Sequence, residues 1–175
     1  PGRGSSNHLV LLAHNAAGYK NLIKLTSSSY LEGFYYKPRI DKELLRRHSE
    51  GLIGLSACLK GEVAEKIVAG QEDEAEAVAR EYLDIFGEGN YYLELQDHGL
   101  DEQRQANEGL KRLARKLGIP KVLTNDCHFL KQDDSFAHDV LLCIGTQKNL
   151  SDPDRLKYAS DQFYLKTGDE MFAAF

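Results

Sequence analysis

Short runs of consecutive apolar residues alternate along this chain with longer stretches in which apolar positions recur every three or four residues. The runs have the length of buried strands, and the stretches have the period of amphipathic helices. HLVLLA (8–13), GLIGLSA (51–57), NYYLELQ (90–96) and KVLTN (121–125) are the strand candidates. Between them Leu22, Ile23, Leu25 and Tyr30 share helical spacing. So do Ala75, Val78, Ala79, Tyr82, Leu83 and Phe86 within 72–86, and Leu110, Leu113, Ala114 and Leu117 within 101–117. Asn15 is placed to cap the first helix and Asp41 the short DKELLRRHS helix. GEVAEKIVAG reads as a short helix stopped by Gly70, while Gly33 and Gly118 close their own helices. Pro38 makes FYYKPR an extended linker, and PGRGSSN (1–7) reads as a loop. Farther on, the pattern predicts a polar turn at 126–131 and a helix at 133–145 carrying Phe136, Val140, Leu141 and Ile144. A charged loop at 149–160, a strand at QFYLK and a helix opening at Asp169 follow.

Strands that alternate with helices across short loops predict an α/β fold with a mainly parallel sheet, open or closed into a barrel. No internal repeat or low-complexity stretch is visible, and only the tail after about residue 149 reads as a connection to something else. The 175 residues suit one domain or a piece of a larger one. The start at Pro1, without an initiator Met, predicts a fragment or a processed product. No apolar run approaches the ~20 residues that span a bilayer, so no membrane partner is expected. The net charge of −5 lacks the basic surplus of proteins that coat phosphates. Work on nucleic acid would then involve few backbone contacts, or action at one strand end through metal ions. Three Cys without a CxxC pair fit a reducing, cytoplasmic compartment.

In parallel α/β folds the chemistry gathers at the carboxyl ends of strands. GLIGLSA ends in Cys58, NYYLELQ in Asp97-His98, and KVLTN in Asp126-Cys127-His128. Asp126 and His128, two apart, can point to one centre and offer an oxygen and an imidazole nitrogen to Zn, Mn or Fe. Alternatively, Asp126 caps a turn and His128 is a bystander. Cys58 alone is as readily a small buried hydrophobe, and Asp97-His98-Gly99 is also explained as a turn. His8 carries little local signal. His138 is expected on the solvent face of its helix, His14 and His48 at the surface, and Cys127 and Cys143 as packing groups. The motifs GxGxxG, GxxxxGK[ST] and GxSxG are absent from the sequence, and the tyrosines form no platform interleaved with basic residues.

HLVLLAHNAAGYKNLIKL, YLEGFYYKPRIDKELL, GLIGLSACLKGEVAEKI, YYLELQDHGL, TNDCHFL, HDVLLCIGT and DQFYLKTGDEM, in this order, resemble the polymerase-and-histidinol-phosphatase (PHP) domain of the bacterial C-family replicative polymerases, the DNA polymerase III alpha subunits. The resemblance implies a distorted (β/α)7 TIM-like barrel, here incomplete at its N-terminal end. The HxH motif and the further Asp, His and Glu ligands of the family's first strands have no counterpart. Residues 1–150 would be the latter part of the PHP domain and 151–175 the connection toward the polymerase palm. By resemblance His8, Cys58, Asp126 and His128 match family metal ligands, and His98 is at most a second-layer or substrate contact. The implied function is metal-dependent phosphoester hydrolysis, a 3′→5′ exonuclease on a primer end, within a bacterial cytoplasmic DNA polymerase. Divalent Zn, Mn or Fe would serve the PHP centre, and Mg the polymerase domain, which is absent here. DNA, a proofreading exonuclease subunit and other replicase subunits are the implied partners, and exposed sheet edge would favour self-association. The alternatives are a non-catalytic scaffold that docks the proofreading exonuclease, and a stand-alone PHP phosphatase.

Overall fold

A computed structural model describes residues 6–175; the expected loop at 1–7 lies mostly outside them. The described chain forms two compact units. One takes the residues up to Glu94 together with Gln105–Val122, the other Leu95–Arg104 and Leu123–Phe175. Strands β1 (Val10–Ala13), β2 (Leu52–Leu55), β3 (Tyr91–Leu95) and β4 (Lys121–Leu123) lie in one sheet in the order β1-β2-β3-β4.

Two helices of the first unit start where a side chain satisfies a first-turn amide. Helix α1 (Ala16–Leu31) opens with Gly18 N–H donating to Asn15 Oδ1 at 3.0 Å, and α2 (Lys42–Arg47) with Leu44 N–H donating to Asp41 Oδ1 at 2.8 Å. Helix α3 spans Glu62–Val68. Helix α4 (Glu72–Phe86) places three acids in its first turn, and α5 (Asp101–Leu117) places acids first and bases last, as the helix dipole favours. The bounds of α4 and α5 coincide with the periodic stretches of the sequence.

The core of the first unit forms where α4 lies on the sheet. Tyr91 is fully buried, its ring stacked 5.4 Å from Tyr82 and 5.9 Å from Phe86. Gly54 of β2 makes room for Phe86, since a Cβ there would lie 2.4 Å from the ring. Ala75 and Ala79 let α4 sit close, and Val63, Ile67, Leu110 and Leu113 complete the layer.

The second unit has less regular structure. A 3-10 turn (Gln132–Asp134) leads into α6 (Ser135–Thr146), and α7 (Gly168–Ala174) opens on a capping box between Thr167 and Glu170. Arg155 grips Asp139 with both terminal nitrogens, at 2.5 and 2.8 Å, and ties the 149–160 loop to α6.

The sheet is mixed: β1 runs antiparallel to β2, Val10 opposite Leu55, whereas β2 and β3 are parallel. Two expectations are corrected. QFYLK forms no strand. It makes one parallel bridge, Phe129 to Tyr164, with His128 N–H donating to Phe163 O at 2.8 Å. The helix at 133–145 exists, but Phe136, Leu141 and Ile144 are exposed, and Cys143 is the side chain it buries. The described residues show a four-stranded sheet with helices, a mixed α/β architecture.

Candidate metal centre

Each unit presents one pair of metal-compatible donors. In the first unit His8 precedes β1 and Cys58 follows β2. His8 N–H donates to Lys60 O at 2.9 Å, and His8 bridges Gly61 in parallel. This backbone tie brings Cys58 Sγ to 3.5 Å from His8 Nδ1. A tetrahedral zinc ion with bonds of about 2.3 Å to sulfur and about 2.05 Å to nitrogen holds the two donors about 3.6 Å apart. The observed separation therefore suits two ligands of one ion; it suits a thiol–imidazole hydrogen bond as well. His8 is exposed and Cys58 half-buried, so both are open to an incoming cation.

In the second unit Asp126 and His128 follow β4, and Asp126 Oδ1 lies 3.2 Å from His128 Nε2. The tetrahedral edge for an oxygen and a nitrogen ligand is about 3.4 Å. This separation fits a shared ion and equally an ion pair. Both side chains remain accessible. Tyr158 holds its hydroxyl 3.1 and 3.2 Å from the two nitrogens of His128. Among the described residues, no three His, Cys, Asp or Glu side chains gather as a ready cation cage.

His98 supports the second pair. It is completely buried, stacked on Phe163 with ring centroids 4.3 Å apart. Gln103 brackets it, accepting His98 N–H at 2.7 Å and placing its amide nitrogen 2.8 Å from Nδ1. His98 Nε2 accepts Asp126 N–H at 3.1 Å, so the imidazole fixes the backbone of a candidate ligand. Burial pushes its pKa down, the Lys166 ammonium adds to this, and the Asp126 carboxylate opposes it. A proton on Nε2 would face the Asp126 N–H, which also favours the neutral ring. The Asp97-His98-Gly99 turn is present too: Asp97 Oδ1 accepts Gly99 N–H at 2.8 Å.

Some residues are placed otherwise than their sequence suggests. His138, expected on a solvent face, is half-buried in an aromatic cluster with His128, Phe129 and Tyr158 at centroid distances of 5.8, 5.3 and 5.1 Å. Cys127, expected to pack, is exposed, whereas Cys143 is buried. Glu94 carries little signal in the sequence, because it sits inside an apolar strand run. It is buried, and its carboxylate accepts Ala57 N–H. A charged residue at an inward strand position was the available signal.

A four-stranded α/β sheet with donors at its strand ends defines the class, and the comparison with known proteins gives the family: the chain belongs to the PHP domain family, whose model matches residues 2–98. The chain is 54% identical over 168 residues, 96% of its length, to the DNA polymerase III subunit alpha of Treponema pallidum (strain Nichols). It is 49% identical over 170 residues, 97% of its length, to the protein of that name from Thermus aquaticus. The figure is 44% over 171 residues for Mycobacterium tuberculosis (strain ATCC 25618 / H37Rv). In each case the match covers 14% of the relative, so the chain spans about one-seventh of the length of these curated relatives. No helix among the described residues is long and apolar enough to cross a membrane.

Proposed function

We propose that the chain is the PHP portion of a bacterial replicative DNA polymerase, and that His8, Cys58, Asp126 and His128 are ligands of divalent metal ions there. The observation that carries the reading is the 44–54% identity to polymerase alpha subunits along 96–97% of the chain. The donor separations of 3.5 and 3.2 Å suit a metal. Thiolate, imidazole and carboxylate together suit Zn, Mn or Fe better than Mg. In this reading the sheet belongs to a (β/α)7 barrel, residues 1–150 are PHP, and 151–175 lead toward the palm.

The reaction class is phosphoester hydrolysis, a 3′→5′ trimming of a DNA end in the bacterial cytoplasm. Bound metal would supply Lewis acidity and lower the pKa of a water. The protein's own residues prepare the site. His98 holds the Asp126 backbone, and Tyr158 meets the imidazole of His128 with its hydroxyl. The Lys60 carbonyl orients His8 through its backbone.

A scaffold role is the second reading, favoured by the exposed Leu31, Tyr36 and Phe172, which offer apolar surface to other replicase subunits such as a proofreading exonuclease. The edge strand β1, with Val10 and Leu12 exposed, also offers itself to a second copy.

The test is 3′-end trimming by the polymerase that carries this chain, in Mn or Zn, with Asp126→Asn. The expected outcome is a loss of trimming of at least tenfold, together with reduced bound metal by elemental analysis. Unchanged trimming removes the catalytic assignment. A fall in melting temperature, in a protein that never trims, favours the scaffold.

A further inference from the structure

The turn that delivers Cys58 is bent against the preference of its sequence. Ala57 has φ +62, a left-handed conformation in which its Cβ crowds the backbone. It is nevertheless buried, between Ser56 and the candidate ligand. Gly61 closes the turn by donating to Cys58 O at 2.7 Å, and a Cβ on Gly61 would lie 2.0 Å from Ser56 O.

The bend leaves the Ala57 N–H without a strand partner, and Glu94 supplies one. Among the described residues Glu94 is the only buried carboxylate, and its Oε2 takes that N–H. Its own N–H donates to Ser56 Oγ at 2.8 Å, and Ser56 N–H donates to Tyr92 O at 3.0 Å. The turn is thus held from β3 at consecutive residues. A buried carboxylate is costly in an apolar layer unless its lone pairs are used. Here it satisfies an amide that the strained bend would otherwise orphan.

We propose that Glu94 is a positioning residue: it holds Ala57 in the left-handed conformation and so sets Cys58 beside His8 for a shared metal ion. This rests on the reading of Cys58 and His8 as ligands. Residues that orient metal ligands from behind commonly change affinity by about 10–100-fold when removed.

The experiment titrates the chain with Co²⁺ and follows the thiolate-to-cobalt charge-transfer absorption, which reports Cys58 directly once Cys127 and Cys143 are replaced by Ser and Ala. Glu94→Ala is expected to weaken Co²⁺ binding at least tenfold. Glu94→Gln, whose amide oxygen can still accept Ala57 N–H, is expected to weaken it less. Ala57→Gly placed on Glu94→Ala is expected to recover most of the loss, since Gly takes positive φ without strain. Equal losses with and without Ala57→Gly, or no loss in Glu94→Ala, overturn the proposal. Hydrogen exchange at the Ala57 amide is measured in parallel on Glu94→Leu, which fills most of the core volume and offers no acceptor. Faster exchange at Ala57, with β2 and β3 still protected, supports the clamp, and unchanged exchange overturns it. No charge-transfer band in the unsubstituted chain removes the ligand reading of Cys58, while the Ala57 exchange still decides whether Glu94 holds the turn.

Discussion

In the first unit the donor pair stands on regular structure. His8 is tied by a main-chain bridge, Cys58 ends a strand exit braced from β3, and the unit's core is a layer of stacked rings and small residues on α4. In the second unit the pair stands on side chains. Asp126 is held by a buried imidazole, and His128 lies among Tyr158, Phe163 and His138. Polar groups do in the second unit what ladders and apolar packing do in the first. The difference teaches where each pair is vulnerable: the first to loss of volume, the second to a change of protonation.

The largest effect that would sharpen this contrast is Tyr91→Ala. Removing a fully buried ring stacked against two others is expected to cost about 3–5 kcal/mol. Urea denaturation should show the midpoint fall, with lost protection concentrated in the amides of β2 and β3. A cost below about 1 kcal/mol would mean that the aromatic stack is not what holds the first unit.

Next comes acid. Burial, reinforced by Lys166, holds the His98 imidazole below its ordinary value of 6.5. The unfolded chain therefore binds more protons than the folded one in the range just below that value. The stability from the neutral ring is fully present above this range and is lost as pH falls through it. Melting temperature should drop as pH is lowered from about 7.5 to about 5.5, and His98→Gln should flatten that acid limb. The same substitution should cost about 1–3 kcal/mol at neutral pH, because the Asp126 N–H loses the ring nitrogen that accepts it. A variant whose acid limb matches the parent would break the claim that the second unit rests on this imidazole.

The smallest effect is a control. Asn15→Ala removes a side-chain cap at the start of α1 and is expected to cost about 1 kcal/mol. Its melting shift should be the same at pH 7.5 and pH 5.5. A pH-dependent shift would show that the acid response is not particular to His98.

Helices were legible in the sequence wherever their signals are local. Asn15 and Asp41 cap as their residue types and places predict, and the periodic stretches at 72–86 and 101–117 end where the helices end. The four strand runs are all strands, because each is an apolar segment of strand length bounded by polar turns. The direction of β1 was not legible. An apolar run reads the same whether its neighbour is parallel or antiparallel, and the pairing is set by a partner some forty residues away. Phe136, Leu141 and Ile144 mislead for a similar reason: apolar spacing marks a face but does not say that anything covers it.

The candidate site divides the same way. Cys58, Asp126 and His128 are proposed from residue type, strand-end position and likeness to a family, and His8 from the likeness alone. The roles of Glu94 and His98 are not. A glutamate in YYLELQ and a histidine in a DHG turn are ordinary residues until the fold removes water from around them and turns a backbone N–H toward each. Sequence alone settled the four strands, the longer helices, the Asn15 and Asp41 caps and the donor types, because those depend on neighbours within about a turn of chain. Only the tertiary structure decided which polar groups are buried and what they hold, because burial and hydrogen bonding join residues that the chain keeps far apart.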